Sequence, residues 1–224
     1  MTKRVAVLLS GRGSNFQSLL HASLGGSLGG EISLVVSNSP GAGGLTIAQD
    51  AGIETALIDH QRYPTREAFD QDLADALDSA QPDLVALAGF MRILTPEFVT
   101  RFSGRLMNIH PSLLPLYPGL HTHQRALDNG DNHVGATVHY VTGELDGGPP
   151  VLQAKVHVNS GDDADALAAR VLEVEHRIYP MAVNWHLSGR LTWHGGNLLK
   201  DGAPVPSSGE LWEDMPSGFG QSRV

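Results

Sequence analysis

Apolar positions along this chain come in short blocks separated by polar, helix-spaced stretches. Val5–Leu9, Ile32–Val36, Ile53–Ile58 and Leu84–Ala88 are apolar runs with many β-branched residues. Runs of that length without alternation predict strands buried on both faces, as in a parallel sheet. Leu106–Ile109 is a fifth run, interrupted by the amide of Asn108 and ended by His110-Pro111. Phe16–Leu20, Leu45–Ala51 and Thr65–Ala80 have helical spacing. In the last of these, Thr65 serves as N-cap, Glu67 falls in the first turn, and Phe69, Leu73, Ala76 and Leu77 form one stripe. Thr95-Pro96 opens another helix, and Thr122–Asn129 is helical up to Gly130.

The pattern then changes. Val134–Val141 alternates and predicts a strand, with Val151–Val158 as its hairpin partner. Asp162–His176 predicts a long helix that stops before Tyr179-Pro180, and Met181–Leu187 a last, separate helix. Gly189–Trp193 reads as a short strand. Gly, Pro and Ser dominate from Leu198, so residues 206–224 are expected to be a flexible tail behind a single domain spanning 1–205. Strands separated by helices, followed by a hairpin, predict an α/β fold: an open, mostly parallel twisted sheet with helices on both faces and a C-terminal antiparallel hairpin.

Composition narrows the function classes. A formal net charge of −9, with 15 Lys and Arg and no basic run, argues against nucleic acid as a partner. There is no cysteine, so neither a disulfide framework nor thiolate chemistry is available, which fits a cytoplasmic protein. The apolar run after the basic start ends at Ser10-Gly11-Arg12-Gly13, too early for a signal peptide. No stretch approaches the roughly 18–20 apolar residues of a membrane span.

The chemistry gathers in Arg105–Pro118, R-L-M-N-I-H-P-S-L-L-P-L-Y-P. Pro111 pushes His110 toward extended geometry. Asn108 and His110, two apart on an extended chain, then point to one face. An amide donor suits a developing oxyanion, and an imidazole moves protons near neutral pH. The alternative is that both merely satisfy backbone groups beside a Pro-rich turn. Ser10–Asn15 links a strand to a helix through glycines, the arrangement that holds a phosphate, although Ser14 or Asn15 as a plain N-cap reads equally well. Arg66 places a cation at a helix start, where the helix dipole does not favour it. Asp146-Gly147 suits an ordinary hairpin turn. His121 and His123 lack acidic or thiol partners at ligand spacing, so no metal is expected.

N-I-H-P-S-L-L-P, then Y-P-G-L-H-T-H, and L-D-G-G-P at 145–149 resemble the signature of the phosphoribosylglycinamide formyltransferases of purine biosynthesis. The resemblance runs from about residue 3 to about residue 205. It implies transfer of a formyl group from 10-formyltetrahydrofolate, as donor cosubstrate, to the amine of glycinamide ribonucleotide (GAR). It makes Asn108, His110 and Asp146 the catalytic residues, with Asp146 orienting the imidazole and favouring its protonated form. It assigns Gly13, Ser14, Asn15 and Glu175 to GAR. It assigns Arg66, Met91, Arg92, Ile93, Leu94, Asn108 and Thr142, Gly143, Glu144, Leu145 and Asp146 to the folate. Residues 1–100 are thereby expected on the phosphate side and 101–205 on the catalytic and folate side. The partners implied are small molecules, with no nucleic acid and no membrane, for a monomer or homodimer.

Three rivals share parts of this pattern. A formyl-folate hydrolase uses water as acceptor and carries an extra N-terminal regulatory domain, whereas this chain starts at the first strand. A methionyl-tRNA formyltransferase needs a basic C-terminal domain. A non-catalytic folate or nucleotide-binding module would have no use for Asn108, His110 and Asp146 together.

Overall fold

The computed structural model describes residues 2–194 and 197–212. Five of the apolar runs become parallel strands: β1 (Arg4–Leu9), β2 (Glu31–Ser37), β3 (Thr55–Leu57), β4 (Leu84–Leu87) and β5 (Leu106–His110). Parallel neighbours need a crossover between them, and four helices supply it: α1 (Ser14–Leu24), α2 (Gly43–Asp50), α3 (Arg66–Ala80) and α4 (Pro96–Arg101). Thr65 and Thr95 cap α3 and α4 by accepting the N–H groups of Ala68 and Phe98. After α5 (Thr122–Asn129), β6 (His133–Tyr140) runs antiparallel to β5 and β7 (Pro150–His157) antiparallel to β6. Helix α6 (Ala164–Leu187) follows, then β8 (Leu191–His194), β9 (Asn197–Lys200) and β10 (Ala203–Pro204), a small antiparallel sheet. The main sheet has eight strands in the order β11-β7-β6-β5-β4-β1-β2-β3, where β11 is Glu210–Trp212. The expected fold class is the observed one.

The unalternating strands are explained by two cores. Val5, Val7 and Leu9 face α1, α2 and α6 in one cluster, while Ala6 and Leu8 face α3 and α4 in the other. Both faces of β1 are therefore dry, and all five side chains are fully buried.

Two expectations are corrected. The helix predicted to stop before Tyr179-Pro180 continues through Pro180 as one helix of 24 residues. Proline in a helix interior costs about 3 kcal/mol. Ile178, Tyr179, Ala182 and Val183, all fully buried, offset it with about 1.5–3 kcal/mol for each large apolar side chain. The expected tail from 206 contains β11, which pairs in parallel with β7 through Glu210↔Leu152, Leu211↔Gln153 and Trp212↔Ala154. An open sheet edge offers a row of unpaired backbone groups, and Trp212 adds a ring beneath the Arg177 guanidinium. Residues 213–224 of the expected tail lie outside the described residues.

Strand order reverses between β1 and β4: the chain winds outward to β3 and returns beside β1. Crevices outside strand carboxyl ends at such a reversal are where open α/β sheets bind ligands. One residue before Asn108, the Tyr179 hydroxyl lies 2.9 Å from the Leu87 carbonyl and 3.0 Å from that of Met107, tying α6 to the ends of β4 and β5. Tyr179→Phe leaves these buried acceptors without that donor. Urea denaturation is expected to show a loss of about 1–3 kcal/mol; unchanged stability would mean the hydroxyl contributes nothing to the junction.

Candidate active site

The strand β5 delivers Asn108, half-buried, and His110, 6% exposed, at the carboxyl edge of the sheet. Register on the antiparallel side sets Asn108 opposite His139 and His110 opposite Thr137. The hydrogen bonds fix which atoms are free. His139 Nδ1 is 2.9 Å from the Tyr140 carbonyl, which only accepts, so Nδ1 carries the hydrogen. His139 Nε2 is then an acceptor, and it receives one amide hydrogen of Asn108 at 3.2 Å. Burial pushes the His139 pKa down to about 4, against the Tyr140 carbonyl and Asp146, so the ring stays neutral and keeps this role. His110 Nε2 donates to the Tyr117 carbonyl at 2.9 Å, which leaves Nδ1 as the nitrogen nearer Asp146.

Asp146 completes the group. Its backbone is left-handed, φ +52°, within the β6–β7 connection. One carboxylate oxygen accepts the Gly119 N–H at 2.8 Å and lies 3.5 Å from His110 Nδ1; the other lies 3.9 Å from His139 Nε2. The turn that the sequence offered as a plain hairpin loop thus carries a carboxylate, 10% exposed, between two imidazoles.

A cleft of about 110 Å³ opens beside this group. Arg92, Ile93 and Leu94 line it from one side, and Thr142, Gly143, Glu144, Leu145 and Asp146 from the other, with Asn108 and His139 at its floor. Met91 is a different case. Its side chain is 70% exposed and does not line the cleft, while its N–H is held by the Ser10 hydroxyl at 2.7 Å. Arg66 is exposed at the first residue of α3 and is not among the lining residues.

The alternative reading of Ser14 or Asn15 as a plain side-chain cap on α1 is not what is seen: the N-cap is Gly13, and neither residue caps the helix. Gly13 has φ +84°, and a Cβ there would stand 2.7 Å from Gly44 Cα, so the close approach of the loop to α2 requires glycine. The first-turn N–H groups of α1 therefore receive no side-chain cap. Asn15 instead donates its amide to Glu175 on α6 at 2.6 Å. Gly13–Asn15 and Glu175 come from opposite ends of the chain, and the cleft joins residues 92–94 to 142–146. Both the Asn15–Glu175 contact and the cleft thus draw on residues from both halves of the chain.

Three residues around the site escaped the sequence reading: His139, Thr137 and Gln153. Thr137 Oγ1 donates to the Ser112 carbonyl and accepts the Leu114 N–H, and Gln153 donates to Thr137 and to the Leu114 carbonyl. This buried set holds the Pro-rich segment that returns Tyr117 to His110. Its signal in the sequence is polar residues two apart, Thr137 and His139, on one face of an otherwise apolar strand.

Glu175 is 6% exposed, and burial raises its pKa to about 7, partly offset by the Asn15 amide. The folded state therefore holds the proton more tightly than the unfolded chain. Its contribution is complete below the ordinary carboxyl range and is lost as pH rises through about 7. Between about pH 5 and about pH 8, wild type is expected to lose on the order of 2–3 kcal/mol relative to Glu175→Gln in urea denaturation. A constant difference between the two would show that Glu175 ionises normally.

Comparison with known proteins gives this geometry a lineage. The model of the formyl transferase family matches residues 3–183. The phosphoribosylglycinamide formyltransferase of Escherichia coli is 49% identical over 205 residues, 92% of this chain and 97% of that protein. That of Haemophilus influenzae is 44% identical, covering 92% and 98%. The solved structure of the Coxiella burnetii phosphoribosylglycinamide formyltransferase superposes with a TM-score of 0.91 at 43% identity, covering 95% of this chain and 100% of that one. The fold, the site at the strand ends and the identity along nearly the whole length converge: this chain belongs to the formyl transferase family, among the phosphoribosylglycinamide formyltransferases of purine biosynthesis.

Proposed function

We propose that 10-formyltetrahydrofolate is the formyl donor, that Asn108, His110 and Asp146 carry the transfer to the amine of GAR, and that the reaction takes place in the cytoplasm. The observation that supports this most is how the polar atoms at the end of β5 are committed. Asn108 gives one amide hydrogen to His139, and His110 gives Nε2–H to Tyr117. The other amide hydrogen and His110 Nδ1 remain for a substrate oxygen, on residues two apart on one strand.

The amine nitrogen attacks the formyl carbon directly, and the carbonyl π pair becomes an oxyanion. Asn108 Nδ2–H and protonated His110 Nδ1 receive it. Collapse breaks the bond to the folate nitrogen, which takes up a proton as the attacking amine loses one. Asp146, 3.5 Å from His110 Nδ1, is placed to accept that proton, directly or through a water. No covalent enzyme intermediate is required. The apolar rim of Ile93 and Leu145 suits a flat heterocycle, with neighbouring backbone groups for its polar edge. The uncapped start of α1 suits the GAR phosphate, and Glu175 its ribose or phosphate side. Arg66 and Met91 are assigned to the donor side by resemblance alone.

Asn108→Ala is expected to lower kcat by about 10²–10³ with little change in fold, because one oxyanion donor is lost. Normal turnover would remove Asn108 from the mechanism. Formyl transfer followed by absorbance, with and without GAR, tests the acceptor. Amine-dependent turnover that disappears in His110→Ala is the expected result, whereas GAR-independent loss of the formyl group would make water the acceptor.

A further inference from the structure

We propose that Ser10 is a positioning residue that holds the donor-side loop, Gly89–Leu94, on the strand that also carries the phosphate loop. This rests on the reading of the cleft given above and adds to it the group that sets the cleft's wall.

Ser10 follows β1 at the point where strand order reverses. Its N–H donates to the Gly89 carbonyl at 3.0 Å. Its hydroxyl accepts the Met91 N–H at 2.7 Å and donates to Asn38 Oδ1 at 2.5 Å. The single hydroxyl proton and one lone pair are thus both committed, so the oxygen has one orientation. Asn38, 3% exposed, is itself fixed at the end of β2, where its carbonyl accepts His60 Nδ1–H at 2.8 Å. The next residue, Gly11, accepts the Gly44 N–H at 3.2 Å and leads into the uncapped start of α1.

The loop needs such a tie because packing holds it at its ends and, between them, through Arg92 alone, half-buried with its guanidinium 5.8 Å from the Phe69 ring centroid. Phe90 and Leu94 are each 9% exposed and anchor it, but between them Met91 is 70% and Ile93 56% exposed. Side chains left in water do not fix a backbone, so Met91 and Ile93 are not held by their own packing, and a hydrogen bond to the backbone there matters. Ser10 Oγ provides one at Met91, immediately before Arg92, Ile93 and Leu94 enter the cleft. Removing it releases the wall that meets the donor without touching Asn108, His110 or Asp146.

The test measures kcat and both KM values for wild type, Ser10→Ala and Ser10→Thr, with tetrahydrofolate binding followed by calorimetry. Ser10→Ala is expected to raise the donor KM and the tetrahydrofolate Kd by about three- to tenfold, the effect of one neutral hydrogen bond. The KM for GAR and kcat are expected to change by less than about twofold, and Ser10→Thr, which keeps the hydroxyl, restores the donor KM. If Ser10→Ala does not fold, Ser10→Cys, with a weaker donor and acceptor, carries the same comparison. An unchanged donor KM and tetrahydrofolate Kd, or equal loss in all parameters without rescue by threonine, overturns the positioning role. Wild type that neither transfers formyl to GAR nor binds tetrahydrofolate overturns the underlying reading of the cleft instead.

Discussion

The site depends on the antiparallel register between β5 and β6, which sets Asn108 against His139. A strand repeats every second residue, so a slip of one position would turn Asn108 and His110 away from the crevice and bring their apolar neighbours to it. The register is over-determined. β5 is also paired in parallel with β4, Tyr179 bridges the ends of those two strands, and the Thr137–Gln153 set fastens the segment beyond His110. Each of these contacts is buried, where an unpaired polar group is costly. The fold therefore holds the polar face of β5 in place through the expense of any alternative pairing.

Burial also sets the protonation states. His139 and Glu175 are both shifted toward their neutral forms by desolvation, one down to about 4 and the other up to about 7. For His139 the result is a neutral ring with a fixed tautomer, which orients the Asn108 amide. For Glu175 it is a carboxyl near its midpoint at neutral pH, responsive to whatever approaches Asn15. The same desolvation acts on both groups, but an imidazole starts at 6.5 and a carboxyl at 4.5, so one is left neutral at pH 7 and the other able to change charge.

Much of this was legible along the chain. The unalternating runs at Val5–Leu9 and Leu84–Ala88 announced a sheet covered on both faces, because only a doubly buried strand tolerates them. The caps at Thr65 and Thr95 were readable because capping is a contact between residues three apart. His110-Pro111 marked a strand end because proline restricts its own predecessor. The misreadings were of another kind. Pro180 looked like a helix end until the burial of Ile178, Tyr179, Ala182 and Val183 outweighed the lost hydrogen bond. Gly, Pro and Ser after Leu198 looked like a tail until β7 offered its open edge to Glu210–Trp212.

The sequence by itself determined most of the elements, the fold class and the residue types at the end of β5, since these follow from local sterics and from the period of apolar positions. Only the tertiary structure decided that His139 faces Asn108, that Asp146 reaches His110 across a turn, that Asn15 meets Glu175, and that Ser10 holds Met91. Those pairs lie 31, 36, 160 and 81 residues apart along the chain. Nothing in local propensity encodes such a distance. It is set by which strands lie side by side, and that is decided by the burial of whole faces.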